Sequence, residues 1–74
     1  MENRHQKEYT QIGLNILYYR KLRGWTQQEL AEKTSYSKNH IQRIETAVTV
    51  PSVEILLNIA DALGIPAAKL FEER

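Results

Sequence analysis

Two helix starts placed close together in the middle of the chain constrain its fold more than any other feature. The first follows Thr26, whose hydroxyl can accept a hydrogen bond from the new helix while Glu29 returns one, which is a capping box. The second follows Ser37, a favoured N-cap residue. These starts predict two short helices, near residues 27–34 and 38–45, joined by a tight turn.

Three further helices are predicted around this pair. The first covers about residues 11–22. Another lies near residues 53–63, between the N-cap residue Ser52 and Gly64, which suits the left-handed conformation after a helix end. A short last helix covers residues 66–71, since proline is favoured in a first turn. No alternation of apolar and polar residues indicates a strand, so we expect an all-α fold of five helices.

The chain is expected to form one domain. Its 74 residues allow a single modest core, and no repeat or flexible linker divides them. We assign residues 1–9 to a flexible polar tail and residues 10–74 to the domain, with Thr10 as the N-cap of the first helix. Apolar residues at helical spacing predict this core: Ile12, Ile16, Tyr19, Leu30, Ala31, Thr34, Ile41, Ile44, Val53, Leu56, Ile59, Ala60 and Leu63.

Composition argues against several kinds of site. The absence of cysteine excludes disulfides and thiolate metal sites and fits a reducing cytoplasm, where we expect the protein to act. The first residues are polar and charged, so we expect no secretory signal, and no apolar run approaches the roughly 20 residues that span a membrane. His5 and His40 lie far apart without matching ligands. We therefore expect no metal, no cofactor, no small-molecule ligand and no enzyme activity.

The overall charge is nearly balanced, with ten Lys and Arg against nine Asp and Glu, for a net charge of +1. A protein that bound nucleic acid through bulk charge alone would be more basic. Any nucleic-acid interface must therefore depend on where the charges lie.

The helix at residues 38–45 has two chemically different sides. Ile41 and Ile44 share one side, which predicts that this side is buried. Asn and Gln can pair bidentately with adenine, and Arg can pair with guanine, across the major groove. A polar face also covers many solvated helices, but the preceding helix and turn favour a DNA reader. The outward residues and their flanks are Lys38, Asn39, His40, Gln42 and Arg43.

A longer set of residues shares the spacing of a known family. It contains Thr26-Gln27-Gln28-Glu29-Leu30-Ala31, followed by Ile41 and Ile44-Glu45. It also includes Ile16, Arg20-Lys21, Gly24-Trp25, Ser37, Pro51-Ser52, Leu56, Ile59-Ala60, Leu63-Gly64 and Leu70-Phe71. On these residues, the stretch 12–71 resembles the lambda-repressor and Cro type of helix-turn-helix domain, often called the xenobiotic-response-element family. The combination is too specific for chance matching.

The resemblance implies which residues of the third helix read DNA. Lys38, Asn39 and Arg43 match positions that usually contact bases in the major groove. Ser37, His40 and Gln42 match neighbouring positions that contact either bases or the DNA backbone. We therefore expect the third helix to lie in the major groove of double-stranded DNA.

Other matching residues are expected to contact phosphates or to stabilise the fold. Gln27 matches a phosphate-contacting position, and Gln27 and Gln28 offer backbone N–H groups at a helix start, where anions bind. Thr46 matches a position where the chain leaving the third helix touches a phosphate. Arg20 and Glu45 match a partly buried ion pair. We expect that pair to be structural, because removing Arg20 leaves a buried charge unpaired.

The sequence departs from the family at two turns. Ser35 and Ala47 stand where the family usually has glycine, so a residue with a side chain has to adopt a positive φ. The loop Val48-Thr49-Val50 carries no positive charge, although the family often has basic residues there. We expect fewer phosphate contacts from this loop and a weaker affinity for DNA.

The resemblance implies a transcription regulator, most simply a repressor, that binds a short palindromic operator as a homodimer. Two apolar surfaces are candidates for the dimer or partner contact: Leu14, Leu17 and Tyr18 on the first helix, and Val48 and Val50 in the loop. The apolar residues of the first helix can also pack against the N-terminal tail.

A protein-interaction module of the same fold, such as an antitoxin or a regulator subunit, is the alternative function. The apolar first helix and the near-neutral charge favour it, whereas the outward polar residues of the third helix favour DNA. A basic stripe centred on the third helix would distinguish the two functions.

Overall fold

The computed structural model describes residues 4–73, and this part of the chain is helical with no strand. Four α-helices are followed by a short 3-10 helix. The all-helical prediction is confirmed, but the expectation of five α-helices is corrected, because the last element has the tighter 3-10 geometry. The elements are α1 (Gln6–Leu22), α2 (Gln27–Thr34), α3 (Lys38–Glu45), α4 (Val53–Leu63) and the 3-10 helix (Ala67–Phe71).

Helix α1 begins at Gln6, several residues before the predicted start. The prediction that Thr10 caps this helix is wrong, since Thr10 lies inside it and no side chain caps its first turn. Residues 6–9, which we had assigned to a flexible tail, are therefore helical. Tyr9 packs against the core, so burial of this side chain stabilises the extra turn without a capping side chain.

The predicted starts of the other α-helices are confirmed. Thr26 accepts a hydrogen bond from the backbone N–H of Glu29 at 3.1 Å, and the Glu29 carboxylate accepts one from the Thr26 N–H at 2.8 Å. Ser37 accepts a bond from the N–H three residues on at 3.0 Å, and Ser52 does the same at 3.2 Å. Gly64 ends α4 with φ of +72°. Each start is thus stabilised by its own neighbours in sequence.

The core lies between the buried faces of all five elements. Its fully buried large apolar side chains include Ile16, Leu30, Ile41, Ile44, Ile59, Leu63 and Leu70. Val53 was also predicted to be buried, but it is 71% exposed. It is the first residue of α4, where the helix has not yet reached the core, and Leu56 is the first residue of α4 that is buried.

A buried amide joins α1 to the end of the chain. The Asn15 side chain is fully buried, and its Nδ2 donates to the carbonyl oxygens of Leu70 and Glu72, both at 2.8 Å. Its Oδ1 accepts a bond from Gln11 at 3.0 Å. Because buried polar groups need partners, these bonds satisfy the amide and hold the 3-10 helix against α1.

Candidate nucleic-acid interface

Helix α3 presents a polar face directly opposite its buried face. Ile41 and Ile44 are 0% and 1% exposed, which fixes the rotation of the helix on the core. The exposed residues of the other side are Lys38, Asn39, Gln42 and Arg43, while His40 is half-buried. The only carboxylate of α3 belongs to Glu45 and is buried. The outward face of α3 is therefore free of negative charge.

A glycine sets how closely α1 approaches the end of α3. A Cβ atom added at Gly13 would lie 2.5 Å from the backbone oxygen of Glu45 and 2.7 Å from that of Ile44. Those oxygens belong to backbone that cannot rotate away, so only glycine permits this packing. Local sequence patterns did not predict this role of Gly13; the one signal is a glycine inside a helical pattern.

The Arg20 and Glu45 side chains form a bidentate ion pair between α1 and α3. Arg20 Nε lies 2.7 Å from Glu45 Oε2, and Nη2 lies 3.1 Å from Oε1. The third nitrogen of Arg20 donates to the Trp25 carbonyl at 2.8 Å, just before α2 begins. The Arg20 and Glu45 side chains are only 8% and 3% exposed, so this link between α1, α3 and the residue before α2 is buried inside the domain.

Gln27, the expected phosphate contact, is tied to this ion pair. Its Nε2 donates to Glu45 Oε1 at 3.0 Å, which holds the side chain half-buried at the start of α2. The side chain of the neighbouring Gln28 is exposed and donates along the helix to Glu32 at 3.3 Å. The second amide hydrogen of Gln27 and the backbone N–H groups of Gln27 and Gln28 are the donors available to an anion, since the Glu29 N–H already donates to Thr26.

Both turns around α3 adopt the strained geometry that the sequence implied. Ser35 has φ of +65° and Ala47 has φ of +61°, the left-handed region that favours glycine. These two positive φ values turn the chain into and out of α3.

The turn before α3 contributes an aromatic residue that our sequence analysis did not identify. The Tyr36 ring packs edge-on against His40, with centroids 5.4 Å apart. The Tyr36 hydroxyl accepts a hydrogen bond from Asn58 on α4 at 2.8 Å. This hydroxyl keeps its own hydrogen for donation. His40 packs against this ring and is less exposed than the outward residues Asn39 and Gln42.

Polar side chains at the other end of α3 also form hydrogen bonds. Arg43 Nε donates to the Thr49 hydroxyl at 3.2 Å. The Thr46 hydroxyl donates to the Gln42 carbonyl at 2.8 Å, and the Thr46 backbone N–H donates to the same oxygen at 3.0 Å. A phosphate contact from Thr46 therefore requires its hydroxyl to turn away from α3.

The candidate partner surfaces lie on α1 and around the loop after α3. On α1, Leu14 and Tyr18 are exposed and Leu17 is half-buried, and the exposed Leu22 continues the stripe by one more turn. Around the loop after α3, the exposed apolar residues are Val48 and Val50, and α4 adds Val53 and Leu57.

Residues 4–73 contain neither a candidate metal-binding cluster nor a helix that could span a membrane. No group of three or more His, Asp or Glu side chains comes together in a way that could hold a metal ion. No helix in this range combines the length and the apolar character needed to cross a membrane.

The chain is similar to known helix-turn-helix proteins in both sequence and structure. Residues 16–70 match the family model described as helix-turn-helix. The chain is 34% identical over 64 residues to the HTH-type transcriptional regulator SinR of Bacillus subtilis, covering 85% of this chain and 58% of SinR. The structure superposes on the N-terminal DNA binding domain of SinR with a TM-score of 0.78 at 33% identity, covering 85% of this chain and 93% of that domain. The chain thus spans just over half the length of full SinR.

A second solved structure supports the fold alone. The restriction-modification controller protein C.AhdI from Aeromonas hydrophila has a TM-score of 0.88 at 23% identity, covering 93% of this chain and all of that protein.

Proposed function

Since this chain belongs to the helix-turn-helix family of the lambda-repressor and Cro type, we propose that it is a sequence-specific regulator of transcription, most simply a repressor. It binds double-stranded DNA in the cytoplasm and acts by occupying an operator. The observation that carries this proposal is the outward face of α3, which is polar, exposed and free of carboxylates. The likeness to the N-terminal DNA binding domain of SinR supports it.

In the proposed complex, α3 lies in the major groove. Asn39 and Gln42 pair with adenine, Arg43 pairs with guanine, and Lys38 contacts a base or a phosphate. The exposure of these side chains leaves them free to reach base edges. The buried Ile41 and its core neighbours fix the rotation of the helix, so the groups arrive in a defined register.

Phosphate contacts come from the start of α2 and from the turn before α3. The first turn of α2 supplies backbone N–H groups and the second amide hydrogen of Gln27. Ser37 and Tyr36 add hydroxyl donors before α3. With a near-neutral chain, these positioning contacts and the base contacts supply most of the affinity.

Replacing Arg43 with alanine is expected to relax the sequence preference at one base pair in each half-site. Losing a bidentate base contact should weaken binding to the selected operator by about 1–3 kcal/mol. The measurement is selection from a randomised duplex library at fixed salt, followed by affinities for the enriched motif and for its single-base variants.

Lys69→Ala is the matched control, because it removes one exposed positive charge from the 3-10 helix, which packs against α1 and α4. It should leave the motif unchanged. If the parent protein enriches no motif even at low salt, the proposed function is wrong.

We further propose that the protein binds DNA as a homodimer through Val48, Val50, Val53 and Leu57. These exposed residues lie directly beyond the C-terminal end of α3 and on the start of α4. A two-fold contact there joins two domains close to their reading helices. The helices then reach half-sites about 34–36 Å apart, one turn of DNA, on a palindromic operator.

Val50→Glu is expected to weaken cooperative binding to a palindrome by about tenfold or more while leaving binding to a single half-site unchanged. The substitution removes apolar burial and places two carboxylates at the interface. Leu14→Glu on α1 is the matched control, since it adds the same charge to the other apolar surface. If Leu14→Glu removes the cooperativity and Val50→Glu does not, the dimer forms through α1 instead.

The stripe Leu14, Tyr18 and Leu22 supports one alternative function, a protein-interaction module. These exposed residues follow one another at four-residue spacing on α1, a pattern suited to an apolar helix contact. Failure of the DNA selection would favour this function, and substitutions in the stripe would then abolish binding to the protein partner.

A further inference from the structure

The loop after α3 contains a residue that holds the guanine-reading side chain. Arg43 Nε donates to the Thr49 hydroxyl at 3.2 Å, although both belong to an exposed part of the domain. Arginine side chains are long and lose several rotatable bonds of freedom when they bind. A hydrogen bond at Nε removes part of that freedom before DNA arrives.

The backbone between the two residues keeps Thr49 in place. The Arg43 carbonyl accepts hydrogen bonds from the N–H groups of Val48 and Thr49, at 2.9 and 3.2 Å. Ala47, with its positive φ, turns the chain so that both N–H groups can reach that oxygen. Thr49 is thereby fixed to the same residue whose side chain it contacts.

The position of the bond on the guanidinium decides which edge remains available. A guanidinium can form paired hydrogen bonds through Nε and one Nη, or through both Nη atoms. The Thr49 hydroxyl occupies Nε, so the edge formed by the two Nη atoms is the one that remains available for a paired contact. That edge can donate to O6 and N7 of a guanine together.

Resting on the proposed function, we propose that Thr49 is a specificity-determining positioning residue. Its hydroxyl orients Arg43 toward guanine without itself contacting a base. The uncharged loop therefore contributes to selectivity rather than to phosphate binding.

Thr49→Val removes the hydroxyl while keeping the branched shape of the side chain. We expect the preference for guanine over the other bases at the Arg43 position to fall by about 3- to 10-fold, the cost of ordering one free side chain. Affinity for unrelated DNA and the melting temperature should change little, because the apolar contacts stay. Thr49→Ser keeps the hydroxyl and should restore the preference.

The test measures affinities of the parent, Thr49→Val, Thr49→Ser and Arg43→Ala proteins for the selected operator and for its variants at that base pair. Thr49→Val added to Arg43→Ala should have no further effect on base preference if the two residues act together. In the free protein, the NMR signal of the Arg43 Nε–H should shift in Thr49→Val and stay close to the parent position in Thr49→Ser.

Two results overturn the inference while leaving the proposed function intact. One is an unchanged guanine preference in Thr49→Val, and the other is an equal loss of affinity for every sequence. A parent protein that selects no motif overturns the proposed function itself, and the role of Thr49 with it.

Discussion

Replacing Arg20 with alanine is expected to destabilise the domain by about 3–5 kcal/mol, the cost of leaving one partner of a buried ion pair alone. The Glu45 carboxylate would keep only the Gln27 amide as a partner inside the domain. The Trp25 carbonyl would also lose its donor. A core of this size supplies only about 3–5 kcal/mol in total, so the variant should be largely unfolded at 25 °C. Urea denaturation followed by Trp25 fluorescence and circular dichroism measures the change.

Two further variants distinguish the loss of stability caused by breaking the ion pair from the loss that any substitution on α1 would cause. Lys21→Ala changes an exposed neighbour on α1 and should alter stability by no more than about 0.5 kcal/mol. Replacing both Arg20 and Glu45 with methionine should recover much of the lost stability, because no charge is then buried alone. An Arg20→Ala protein that stays within about 1 kcal/mol of the parent would show that the pair does not stabilise the fold.

Replacing Gly13 with alanine is expected to destabilise the domain by roughly 2 kcal/mol or more, although alanine is the better helix former. The new Cβ would lie 2.5 Å from the Glu45 oxygen and 2.7 Å from the Ile44 oxygen. Both oxygens belong to the end of α3, so α1 and α3 have to move apart. The sign of the change in unfolding free energy tests the close packing, since a glycine-to-alanine change at an unobstructed position inside a helix normally stabilises a protein.

Thr10→Ala provides the matched control, because it introduces alanine on the exposed side of the same helix. It should be neutral or slightly stabilising. In addition, the Gly13→Ala protein should bind DNA less tightly even at temperatures where it remains folded, because the displaced backbone belongs to the reading helix. Stabilisation equal to that of Thr10→Ala would contradict the close approach of α1 and α3.

These two variants test how the core controls the proposed interface. Gly13 sets the distance between α1 and α3, and the Arg20–Glu45 pair connects α3 to α1 and to the residue that precedes α2. Gln27 is linked to the same carboxylate. The geometry of the proposed reading face therefore depends on the buried residues Gly13, Arg20 and Glu45.

Part of the candidate site was predictable from short-range patterns. The bonds at Thr26, Ser37 and Ser52 join groups only three residues apart, so the sequence alone predicts where α2, α3 and α4 begin. The spacing of Ile41 and Ile44 likewise predicts which side of α3 faces outward. The Arg20–Glu45 pair came from the family resemblance, because its partners are 25 residues apart.

Other features depend on where distant segments meet. Helical periodicity indicates which face of a helix is apolar but not where along the helix the core ends. For this reason Val53 was predicted to be buried, whereas it is exposed. The extra turn of α1 depends on the packing of Tyr9 rather than on a capping residue. Asn15 finds its carbonyl partners 55 and 57 residues away, at the other end of the chain.

The sequence by itself determined the helices that carry the site and the polar face of α3, because capping and periodicity act within one or two turns of the chain. Only the tertiary structure decided the role of Gly13, the orientation of Gln27 and the contact between Arg43 and Thr49. Those features depend on distances between helices and on the path of a loop, which are set by packing of the whole core rather than by any local pattern.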